Sequence, residues 1–107
     1  MQVELCNYKD TGIEVHVHAF ISDGQLKIEG QDLGKTVSAF WGDSDYEYFY
    51  SLSKEDTRII HKLLSEGSTS QGNLLELIKI NFSGVDGCRR FRAFCDKHLI
   101  KYNFNSY

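Results

Sequence analysis

The chain has 107 residues, 12 Lys+Arg, 15 Asp+Glu, no Pro and 41% hydrophobic residues, a size that holds one compact domain and leaves no room for two. Aromatic content of 13%, charged content of 25% and a formal net charge of −3 exclude a disordered, collagen-like or polybasic chain. No apolar run nears the roughly 18 residues of a membrane span, and the first residues lack a signal-peptide pattern. With the odd count of three cysteines, this leads us to expect a cytoplasmic protein with no membrane partner.

Residues 3–8 read as a strand that stops at Lys9-Asp10-Thr11-Gly12. Val15, Val17, Ala19 and Ile21 then alternate with His16, His18 and Phe20, the period of two that puts one sheet face toward a core. Ser22-Asp23-Gly24 supplies turn chemistry, and Leu26 and Ile28 alternate with Lys27 and Glu29, so residues 13–30 are predicted as a hairpin. Gly30-Gln31-Asp32-Leu33-Gly34 reads as a loop or single turn, and residues 37–41 as a short strand ending at Gly42-Asp43-Ser44-Asp45. The strongest strand signal follows, with Tyr46, Tyr48, Tyr50 and Leu52 alternating with Glu47, Phe49 and Ser51.

The period then changes. Ser53 and Asp56 have the spacing of an N-cap and its N3 partner, and Ile59, Ile60, Leu63 and Leu64 form an apolar stripe up to Gly67, which predicts a helix over 54–66. Leu74, Leu75, Leu77, Ile78 and Phe82 predict a second helix closed by Ser83-Gly84. Cys88, Phe91, Cys95 and Leu99, with Phe94 and His98, predict a third. Ile100, Tyr102 and Phe104 alternate as a final strand. The expected fold is α+β: one domain over 1–107, an antiparallel sheet made of an N-terminal meander, a Tyr-rich strand and a C-terminal strand, packed by about three helices from the second half.

Charge is divided along the chain. Residues 1–52 hold nine acids and three lysines, a net of −6, whereas residues 53–107 hold nine bases and six acids, a net of +3. A nucleic acid is repelled by the first half and a basic protein is drawn to it. His16 and His18 share a strand face and could supply two metal ligands, but no neighbouring motif adds a third, so no metal or other cofactor is expected. Cys88 and Cys95, two helical turns apart, are too distant for a disulfide and read as core thiols. Asp43, Asp45 and Glu47 beside Trp41, Tyr46 and Tyr48 could supply an acid and a base to a glycosidase-like site. A hairpin in so small a chain offers little walled cleft, however, so the expectation is a binding surface rather than an enzyme. Arg89, Arg90 and Arg92 read as a solvated helix face that pairs with nearby acids, not as a nucleic-acid contact.

Residues Ile28-Glu29-Gly30-Gln31-Asp32-Leu33-Gly34 and Phe40-Trp41-Gly42-Asp43-Ser44-Asp45-Tyr46-Glu47-Tyr48 carry a family resemblance. So do Glu55-Asp56, Leu74-Leu75, Phe91, Phe94 and the Lys101-Tyr102-Asn103-Phe104 finish. Over most of the chain after residue 13 the sequence resembles small bacterial immunity proteins of contact-dependent growth inhibition and polymorphic toxin systems. The resemblance implies a non-catalytic protein that binds one cognate toxin domain and blocks its active site; together with the acidic first half of the chain, it leads us to expect that this toxin is a basic nuclease. On this reading Asp43, Asp45 and Glu47 supply charge, Trp41, Tyr46 and Tyr48 are anchors, and Glu29 and Asp32 form the adjacent rim. Because strand side chains alternate, Tyr46 and Tyr48 do not share a face with Glu47. The alternative is a non-enzymatic adaptor that offers a sheet edge, or a small metal-binding protein.

Overall fold

The structure is a computed structural model, and it describes residues 2–34, 45–66 and 73–106, with the side chain of Asp45 outside that description. Five strands, β1 (Gln2–Asp10), β2 (Ile13–Ser22), β3 (Gln25–Gly34), β4 (Asp45–Ser51) and β5 (Asn103–Ser106), form one antiparallel sheet in the order β1-β2-β3-β4-β5. Between β4 and β5 the chain makes three helices, α1 (Lys54–Glu66), α2 (Leu74–Phe82) and α3 (Gly87–Lys97). The architecture is the α+β one expected, and the final strand returns to pair with β4.

Local chemistry explains the joints. Ser22 pairs with Gln25, leaving Asp23 and Gly24 as a two-residue loop with φ of 52° and 76°, the left-handed pair that a type I′ hairpin needs. Ser53 Oγ accepts from the Asp56 N–H at 3.1 Å and bonds the Asp56 carboxylate at 2.9 Å, so α1 opens on the predicted cap. Asn73 caps α2 by accepting from the Glu76 N–H at 3.0 Å. Arg90 donates to the carbonyls of Asn81 and Ser83, closing the C-terminal end of α2 from α3.

One layer of helices covers one face of the sheet. Val15, Val17 and Ala19 of β2, Leu26 and Ile28 of β3, and Tyr48 and Tyr50 of β4 are buried there against Ile60 and Leu64 of α1, five apolar residues of α2, and Phe91 and Cys95 of α3. Helix α2 packs on β1 and β2, and α1 on β3, where the buried Thr57 hydroxyl accepts from the Leu26 N–H at 3.0 Å. A register shift between Glu4 and Cys6 turns both Leu5 and Cys6 inward, and the Leu5 carbonyl accepts from Gly84 N–H at 2.9 Å.

Three expectations change. Gly30 to Gly34 is not a loop: β3 runs through it, pairing with β2 on one side and β4 on the other. Leu99 is not part of the third helical stripe. It follows the helix at φ 57° and is 88% exposed, while Ile100 turns into the core. Ile59 of the first stripe is exposed, the buried set in α1 being Thr57, Ile60 and Leu64. The strand expected over 37–41 lies outside the described residues.

Candidate functional site

Alternation within the strands sorts the sheet into two faces. The face turned away from the helices carries His16, His18 and Phe20 from β2, Lys27, Glu29 and Gln31 from β3, and Glu47 and Phe49 from β4. No described element covers it. The register sets His16 opposite Gln31, His18 opposite Glu29 and Glu4, Gln31 opposite Glu47, and Glu29 opposite Phe49. A shallow hollow of about 230 Å³ lies at the centre of this surface, lined by His16, His18, Glu29, Gln31, Glu47 and Phe49.

Each histidine stands against a carboxylate. His16 Nε2 lies 3.2 Å from Glu14 Oε2, and His18 Nε2 lies 3.4 Å from Glu29 Oε2. The His16 contact and, after it, the nearby Lys9 ammonium hold the Glu14 carboxyl below its usual range. The His18 ring stacks on Phe20 with centroids 5.9 Å apart. Among the described residues, no three His, Cys, Asp or Glu side chains are placed to hold a metal ion together. The arrangement offers hydrogen-bond acceptors and negative charge around the half-buried rings of Phe20 and Phe49, the composition of a protein contact.

The residues singled out from the sequence divide between the faces. Glu29 and Glu47 lie together on the uncovered face, and Asp45 opens β4 opposite Leu33. Asp32, Tyr46 and Tyr48 lie on the opposite, helix-facing side, so Glu29 and Asp32 do not form one rim. Tyr48 is a core residue, 8% exposed, rather than a surface anchor. Its ring lies over Gly30, and its hydroxyl donates to Asp32 Oδ1 at 3.0 Å. Burial raises the Asp32 carboxyl above its ordinary range, against the lowering effect of that hydrogen bond. Trp41 and Asp43 lie outside the described residues.

The arginines act within the fold. Arg89 and Arg90 reach Asp86 at 3.5 and 3.3 Å, and Arg92 donates to the Tyr50 hydroxyl. Cys6, Cys88 and Cys95 are free thiols, and burial pushes Cys95 up to about 12 and Cys88 up to about 11, which makes both poor nucleophiles. The residues that sequence reasoning passed over are Glu14, Phe20, Gln31 and Phe49. Their signal was parity: each is an even number of positions from His16, His18, Glu29 or Glu47 on the same strand.

No helix among the described residues is long and apolar enough to cross a membrane. No protein family, curated protein or solved structure matches the chain.

Proposed function

We propose that this protein is an immunity protein, which binds a cognate toxin domain in the cytoplasm and neutralises it by occluding a basic active site, with no reaction of its own. The observation that carries this reading is the sheet face that no described element covers, where Glu4, Glu14, Glu29 and Glu47 outnumber Lys9 and Lys27 around Phe20 and Phe49. The acidic half of the chain builds β1 to β4, and the basic half builds the helices on the far side. A nuclease must keep a cationic groove for phosphates, and carboxylates spaced along adjacent strands fill such a groove in the substrate's place. The resemblance to immunity proteins supports the same conclusion.

Co-expression with the toxin domain encoded immediately upstream, followed by co-purification and assays of toxicity and nuclease activity, tests the proposal. A stoichiometric complex with suppressed activity is expected. An upstream product that neither binds nor harms cells overturns the reading and leaves an adaptor module in its place.

A further inference from the structure

A second hollow lies on the helix-facing side of the sheet, between β4 and α3, where the proposed toxin contact does not reach. It measures about 200 Å³, and Asp32, Tyr48, Tyr50, Arg89, Arg92 and Phe104 line it. Tyr48 holds Asp32 at 3.0 Å, whereas Arg92 is held by the Tyr50 hydroxyl with its guanidinium carbon 6.0 Å from the Tyr50 ring centroid. The two rings stand edge to face, with centroids 6.4 Å apart. A carboxylate and a guanidinium therefore address one cavity from two separate positions, each tied to its own phenol.

Neither charge is neutralised by the other. Among the described residues, Asp32 and Arg92 form no ion pair, while Arg89 is engaged by Asp86 at 3.5 Å. Cys88, at the wall of the same hollow, senses both: beyond the effect of its burial, Arg92 lowers its pKa and Asp32 raises it. A half-buried carboxylate that, among the described residues, accepts one hydrogen bond has lost solvation that an incoming cation restores. The guanidinium keeps donors to spare after its bond to Tyr50, and a carboxylate matches their geometry. Between the two charges the walls are aromatic, suited to an aliphatic stem and to a cation over a ring face.

We propose that this cleft binds an ω-ammonium carboxylate, a cation and a carboxylate at the two ends of a short aliphatic stem, with the ammonium on Asp32 and the carboxylate on Arg92. The C-terminal lysine of a peptide and a free ω-amino acid share this chemistry. The site lies on the opposite side of the sheet from the proposed toxin contact, so its test stands apart from that of the immunity reading.

Amide NMR titration of the full chain tests it, with Nα-acetyl-L-lysine and 6-aminohexanoate as probes. Nα-acetyl-L-lysine amide, which lacks the carboxylate, and Nα-acetyl-L-norleucine, which lacks the cation, are the controls. Saturable shifts at Asp32, Tyr48 and Arg92 are expected with at least one probe, and each control should bind at least about tenfold more weakly. Tighter binding of the acetylated lysine assigns the cleft to a peptide terminus, and tighter binding of 6-aminohexanoate to a free small molecule. Asp32→Asn preserves an acceptor for Tyr48, and Arg92→Gln shortens the opposite end. Each should weaken binding at least about tenfold in a folded protein. No saturable shift with either probe, or equal binding of the controls, overturns the proposal.

Discussion

Gly30 and Tyr48 face each other across β3 and β4, and the packing of the β4 side of the core depends on what Gly30 lacks. A Cβ at residue 30 would stand 2.1 Å from the Tyr48 ring, so the ring occupies the place of a side chain. Gly30→Ala forces that ring off its seat, with an expected loss of about 1–3 kcal/mol in urea unfolding and a broken Tyr48 bond to Asp32. The same glycine explains why residues 30–34 read as a loop: a lone glycine in a strand resembles a turn signal until its cross-strand neighbour is known. Asp32 yields a pH prediction. Its folded carboxyl titrates above the ordinary range because of burial, so its stabilising contribution is complete at low pH and lost as pH rises through the folded value. Asp32→Asn cannot ionise, and its stability relative to the native chain should therefore rise as pH climbs through and above the ordinary aspartate value of about 4. A pH-independent difference in urea midpoints contradicts this. Leu99 sits where a glycine is preferred: Ile100 N–H bonds the Cys95 carbonyl at 2.8 Å and Leu99 N–H that of Asp96 at 3.4 Å, a Schellman closure with Leu99 at φ 57°. Leu99→Gly should add about 0.5–1 kcal/mol, read as a raised thermal midpoint.

At the scale of elements, legibility followed the strength of local chemistry. Helix α1 was readable to both of its ends because Ser53 and Asp56 mark one end and Gly67 follows the other. Ser53→Ala removes the cap acceptor and should cost about 1 kcal/mol, seen as a lower urea midpoint with an unchanged slope. Strand β4 was equally plain as a strand, yet its orientation was not. Tyr46, Tyr48 and Tyr50 alternate with Glu47, Phe49 and Ser51, and an aromatic on each side leaves two burial patterns open. What decides between them is distant in sequence. Phe91 of α3 meets Tyr50 at 5.7 Å and Phe82 of α2 at 5.5 Å, both edge to face, and Arg92 takes the Tyr50 hydroxyl. Helix–strand contacts some forty residues apart carry no local signal, which is why the proposed acid and aromatic surface divided in two. Leu99 escaped for a similar reason, since helical spacing alone does not show where a Schellman turn will end the helix.

On the scale of the whole molecule, the division of charge along the chain becomes a division in space. The half with net −6 forms the meander and β4, and the half with net +3 forms the helices and β5, so the charge difference runs across the sheet rather than along it. Such an arrangement orients a basic partner before contact, and its effect belongs to the rate of association more than to the lifetime of the complex. On the proposed reading, the sheet face that no described element covers is the one that meets this partner. Glu29→Gln with Glu47→Gln removes two charges from this face without disturbing the core, because neither residue is buried and both substitutions preserve size. The double variant should bind the toxin domain with an association rate lowered roughly threefold to tenfold at low salt, and with a small change in dissociation. The difference should shrink as ionic strength rises and the Debye length falls below about 8 Å. Glu76→Gln removes an acid from α2 on the far side, and it should leave the rate nearly unchanged. Stopped-flow measurement of all three proteins against the same toxin domain separates a directed contact from a mere effect of net charge. Equal slowing by the α2 variant, scaled to charge, contradicts a contact through the uncovered face, whereas slowing confined to the Glu29 and Glu47 variant assigns the encounter to it.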